Sequence, residues 1–142
     1  MAGIPVTLTD GKHGARFTKS GELVVSSISY DTTQFHELAT VDTAYNFYEP
    51  KGDHQFIITA VLAYGDKQVG SNTNATVIIY EASAADSIVV DKVLIQFEIG
   101  QNQSLPFTSL RLKTSEGKFI NAKTDDDDIH MTIMGYFIAA ID

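Results

Sequence analysis

Cysteine is absent from the 142 residues, which removes disulfides, thiolate metal ligands and thiol nucleophiles together. The chain must hold together by burial alone. At this length a fold buries roughly 70% of the surface its unfolded chain exposes, so no covalent staple is needed. Long hydrophobic runs are missing too. The longest apolar stretches stay under ten residues, against the roughly 20 that a bilayer-spanning helix requires. The opening Met1-Ala2-Gly3-Ile4-Pro5 has neither a basic n-region nor an apolar h-region, so no secretory leader and no membrane partner are expected.

Basic charge is the third shortage. Lys and Arg number 10 against 18 Asp and Glu, for a formal net charge of −8. Lys12, Arg16 and Lys19 outweigh Asp10 and Glu22 in residues 1–30, which sum to +1, so residues 31–142 carry −9. An acidic body repels phosphate backbones, and nucleic acid is not an expected partner. The charge reads instead as solubility, with a preference for basic surfaces.

Amphipathic helical periodicity is also lacking. The one helical candidate, Ser83-Ala84-Ala85-Asp86, amounts to a single turn at most. Residues 1–30 are rich in Gly, Ser, Thr and Lys, with one apolar stretch at Glu22-Leu23-Val24-Val25. They read as an extended N-terminal arm with short strands. From residue 31 to 142 the apolar pattern has period two or forms short runs, both strand signals. Phe56 to Leu62 suits a strand covered on both faces and stops at the turn pair Gly65-Asp66. Thr76 to Tyr80 forms another strand. Val89, Val93, Ile95, Phe97 and Ile99 share a face of a third.

The last segment alternates most clearly. Ile129, Met131, Ile133, Phe137, Ala139 and Ile141 line one side with Gly135, opposite His130, Thr132, Met134 and Tyr136. A straight strand there would run about 43 Å, so a bend or bulge is expected at Gly135. Short strands without helices predict an all-β, two-sheet antiparallel β-sandwich of jelly-roll or Greek-key type.

No catalytic constellation is visible. His13, His36, His54 and His130 show no metal-ligand spacing, and G-x-S-x-G does not occur. Asp125-Asp126-Asp127-Asp128 reads as a hydrated loop, with calcium as the functional alternative because hard cations take clustered carboxylate oxygens. The spacing of an EF-hand is missing. Tyr30, Tyr45, Tyr48, Tyr64, Tyr80 and Tyr136 read as sheet-rim residues, hydroxyl outward, with a sugar-binding platform as the alternative. Asn74-Ala75-Thr76 and Asn102-Gln103-Ser104 match the glycosylation sequon and read as polar turns.

Asp10-Gly11, followed by Ser20-Gly21-Glu22-Leu23-Val24-Val25, resembles the opening of small virion structural proteins of tailed bacteriophages. Val41-Asp42-Thr43-Ala44-Tyr45, Val77-Ile78-Ile79-Tyr80-Glu81-Ala82 and Glu116-Gly117-Lys118-Phe119-Ile120-Asn121 are similar to the same group. The resemblance implies a jelly-roll-like fold and a place on the virion, assembled in the host cytoplasm. It carries no catalytic motif and no cofactor.

The leading expectation is therefore a non-enzymatic capsid decoration (cement) protein whose partners are the major capsid protein or other virion proteins. A homo-oligomer is expected, with a trimer favoured. In the arm, Leu23, Val24 and Val25 would dock while Lys12, Arg16 and Lys19 engage acidic neighbours. The alternative is a head-fibre or tail-associated module that binds carbohydrate or a receptor. A glycan-processing enzyme with carboxylate catalysis ranks last.

Overall fold

The computed structural model describes residues 32–66 and 74–139, and the arm of residues 1–30 lies outside them. Nine strands form: β1 (Thr32–Leu38), β2 (Tyr45–Tyr48), β3 (His54–Gly65), β4 (Ala75–Ala82), β5 (Lys92–Ile99), β6 (Ser104–Phe107), β7 (Leu112–Lys113), β8 (Phe119–Thr124) and β9 (Ile129–Ala139). Every pairing is antiparallel. One sheet has the order β1-β9-β3-β6, with β7 also pairing with β3, and the other has the order β2-β8-β4-β5.

These pairings have a simple logic. β1 pairs with β9, β2 with β8, β3 with β6 and β7, and β4 with β5, so the chain doubles back as one long antiparallel ribbon. Rolling that ribbon brings β9 beside β3 and β8 beside β4, which defines a jelly roll. The all-β sandwich read from the alternation is the fold observed.

The core lies between the sheets. Leu38, Ile58, Val61, Val77, Ile79, Ile99, Ile120, Ile129, Met131 and Ile133 are buried there. Each such side chain stabilises the fold by about 1.5–3 kcal/mol relative to exposure. The β9 alternation holds, with Ile129, Met131 and Ile133 inward and His130, Thr132 and Met134 only half-buried. Phe137 is half-buried as well, packed against the core rim.

Three expectations change in detail. The predicted irregularity falls at Gly135, but the extra residue is Thr59 on β3, since Ile58 pairs with Gly135 and Ala60 with Met134. The Thr59 carbonyl is satisfied from the side by the Leu110 amide at 2.9 Å, in the gap between β6 and β7. β3 is covered on both faces only at Phe56–Ile58, after which Leu62 and Tyr64 turn outward. β5 begins at Lys92, so Ile88 and Val89 stay exposed in the preceding loop. An extra residue, Leu94, sits between Ile95 and Val93 in the pairing with β4, so Val93 drops out of the expected apolar row and is exposed.

Segment 83–91 contains a turn, with the Ser87 amide on the Ala84 carbonyl, and folds over the outer face of the second sheet. The Tyr80 hydroxyl donates to the Ser87 carbonyl at 2.7 Å, and Asn121 Nδ2 donates to the Ala84 and Ser87 carbonyls. Lys123 Nζ donates to the Ile88 carbonyl, and Lys118 pairs with Asp91 at 2.8 Å. Tyr80 and Asn121 are fully buried beneath this strap, and burial pushes the Tyr80 phenol above its ordinary pKa. The first sheet has an open groove on its outer face instead.

Candidate functional site

The register of the first sheet places two rungs of side chains across four strands. In one rung Phe35, Thr132, Leu62 and Pro106 face each other in order. In the next, Glu37, His130, Tyr64 and Ser104 do so. Directly opposed residues share a face of the sheet, and the inward row of Ile129, Met131 and Ile133 fixes that face as the outer one. Together these rungs form a groove of about 380 Å³. Pro106 is tolerated because β6 is an edge strand and needs no ladder donor there.

The lining is mostly apolar and partly aromatic. Phe35 is 56% exposed, Leu62 43% and Tyr64 37%, values that set this face apart from the buried inner one. Phe35 and Tyr64 both stand edge-on to the His130 ring, at centroid distances of 5.9 and 6.1 Å. His130 Nε2 is shut off from solvent without a hydrogen-bond partner, 3.5 Å from Asp66 Oδ2 and 3.7 Å from Glu37 Oε1. Both carboxylates are more than half exposed. The Tyr64 hydroxyl donates to Asn102 Oδ1 at 3.1 Å. Polar groups thus cluster at one end of an apolar trough.

The aspartate run is the link between β8 and β9, and two of its carboxylates accept from backbone amides of the chain. Asp125 Oδ1 accepts from the Thr76 amide at 2.7 Å, and Asp126 Oδ1 accepts from the Asp127 amide. The Asp128 carbonyl accepts from the Asp66 amide. Among the described residues no three acidic or histidine side chains are placed to hold a metal ion.

The Asp127 carboxyl is held above its ordinary pKa, first by a hydrogen bond with the Asp126 side chain and then by the Asp128 charge. The folded state therefore holds this proton more readily than the unfolded chain. The site opposes folding above the folded pKa, and that cost fades as the pH falls through it. Asp127→Asn is expected to raise the melting temperature at pH 7 and to shrink this advantage toward pH 4. An equal or lower melting temperature at pH 7 would contradict the assignment.

The sequence-predicted arm residues Lys12, Arg16, Lys19, Leu23, Val24 and Val25 lie outside the described residues, as do His13 and Tyr30. The other histidines are not gathered. His36 packs edge-on against Phe47 at 4.8 Å, His54 sits beside Asp53, and His130 lines the groove. Among the described residues the tyrosines form no platform. Tyr48 and Tyr80 are buried instead of lying at a rim, the Tyr45 hydroxyl accepts from the Ala39 and Thr40 amides, and of the described tyrosines only Tyr64 reaches the groove. Sequence reasoning missed Phe35, Leu62 and Pro106 as one surface, because their partnership exists only through strand register. No family model matches the sequence, no curated protein matches it, and no solved structure matches it.

Proposed function

We propose that this is a non-enzymatic structural protein of a tailed-phage virion, a capsid decoration protein bound to the assembled head. The observation that carries the reading is the position of β1. Among the described residues it pairs with β9 alone, so Thr32 lies on a sheet edge that is otherwise open. The arm therefore joins the body at an edge strand, where strand addition to or from a neighbour needs no rearrangement of the sandwich. Leu23, Val24 and Val25 dock on the shell, and Lys12, Arg16 and Lys19 meet acidic groups there. The acidic jelly roll faces solvent. The resemblance of the chain to small virion proteins supports the same reading. Copies assemble around a closed axis, as a trimer.

Particles lacking the protein provide the test. Deleting residues 1–20 is expected to leave circular dichroism and melting nearly unchanged while abolishing co-sedimentation with the particles. The charge reversal Arg16→Glu/Lys19→Glu is expected to weaken co-sedimentation in the full-length chain. Unfolding of the truncated protein would make the arm part of the sandwich. Undiminished binding would place the attachment surface on the body. Either result ends the anchor reading.

A further inference from the structure

The attachment proposed above rests on the arm and makes no use of the groove on the first sheet, whose chemistry is specific. Its bed is apolar, with Leu62 and Pro106 flanked by the exposed rings of Phe35 and Tyr64. Hydrogen-bonding groups are concentrated toward one end, where Glu37 and Asp66 lie beside His130 and Asn102 beside Tyr64, with the Thr132 hydroxyl the polar group in the other rung. Among the described residues no Lys or Arg lines it. A ligand must therefore bring its own donors and an apolar face. It must also lack anionic groups, which would meet two carboxylates on a chain of net charge −8.

Extended peptides suit this bed poorly. The ladder bonds that join β1, β9, β3 and β6 run in the plane of the sheet, so a peptide laid across the face would find no main-chain partners in that bed. A sugar ring has the matching distribution: C–H groups on its faces, which aromatic rings attract, and hydroxyl donors around its rim. The volume of about 380 Å³ falls in the range of small-molecule sites, roughly 300–1,000 Å³. We propose that this groove binds a saccharide free of acidic groups, stacked on Phe35 and Tyr64 with its hydroxyls donating to Glu37 and Asp66. The inference goes beyond the attachment reading and does not depend on it.

The test needs no particles. The full-length protein is screened against an array of neutral, amino, sialylated and sulfated oligosaccharides, and hits are titrated by calorimetry. Binding is expected for neutral or amino saccharides only, weakened about tenfold or more in Phe35→Ala and in Tyr64→Ala. Glu37→Gln, which keeps the acceptor oxygen but not the charge, is expected to weaken binding less than Phe35→Ala. Val93→Ala, an exposed apolar change on the other sheet, is expected to leave it unchanged. Circular dichroism checks that the exposed substitutions leave the fold intact. Absence of binding up to about 10 mM, where even a millimolar site would fill, overturns the proposal. So does a preference for acidic glycans, or binding by both aromatic variants as tight as by the parent. Binding only of a basic, apolar peptide such as residues 12–25 of this chain would make the groove a protein-docking surface, and the saccharide site would fall.

Discussion

Phe56→Ala is expected to lower stability by about 3–5 kcal/mol, near the top of the range for core truncations. Phe56 is 2% exposed, stacks on Tyr48 with centroids 4.0 Å apart, and meets Phe137 edge-on at 4.9 Å. Its removal leaves a void that neighbours cannot fill. Tyr48 is tied by its hydroxyl to the Ile133 carbonyl at 2.8 Å, and that bond crosses from one sheet to the other. Phe56 also anchors β7, through its amide on Thr114 Oγ1 and its carbonyl on the Thr114 amide. Phe137→Ala should cost less, because Phe137 is already half-buried. Urea denaturation of the two variants checks the order. A Phe56→Ala loss below about 1 kcal/mol, far under the cost of such a cavity, would mean that the Tyr48–Phe56 stack does not hold the sheets together.

Gly135→Ala is the second large effect, and it arises from too many atoms instead of too few. A Cβ at this position would collide with the Ile57 carbonyl oxygen and with the Phe56 ring. The ring could shift, but the carbonyl belongs to the backbone of the central strand β3. Overpacking costs typically 1–3 kcal/mol and more where the backbone must move, so this variant is expected at or beyond the upper end. Adding Phe56→Leu should not rescue it, because the carbonyl obstacle stays. Melting curves of the single and double variants decide the matter. A Gly135→Ala protein as stable as the parent would show that β3 and β9 do not approach so closely.

The sequence signals succeed or fail for local reasons. Alternation at Ile129, Met131 and Ile133 predicted burial correctly because successive residues of any strand point to opposite faces. The same rule failed at Val93, where the extra residue Leu94 moves the strand out of phase. Glu81 gave no signal at all in the apolar phrase that holds it. It is 2% exposed, and its carboxylate accepts from the Ser115 amide at 2.7 Å, a partner supplied by a distant turn. The predicted bulge was placed at the right level of the sheet but on the wrong strand. Glycine marks a close approach, yet the extra residue belongs to the strand that approaches.

The sequence by itself determined the class of the fold and the chemistry the chain cannot do with cysteine. Strand periodicity and composition are local properties, readable one segment at a time. Only the tertiary structure decided which outer face stays open. The strap of residues 83–91 buries Tyr80 and Asn121 on one sheet, while an open groove crosses the outer face of the other. The groove joins Phe35, Leu62, Pro106 and Thr132 from β1, β3, β6 and β9, segments brought side by side by the rolling of the ribbon. A one-residue change in any of those registers would turn a side chain to the opposite face. Nothing within a single segment encodes that choice, because register is set by the pairing of distant strands.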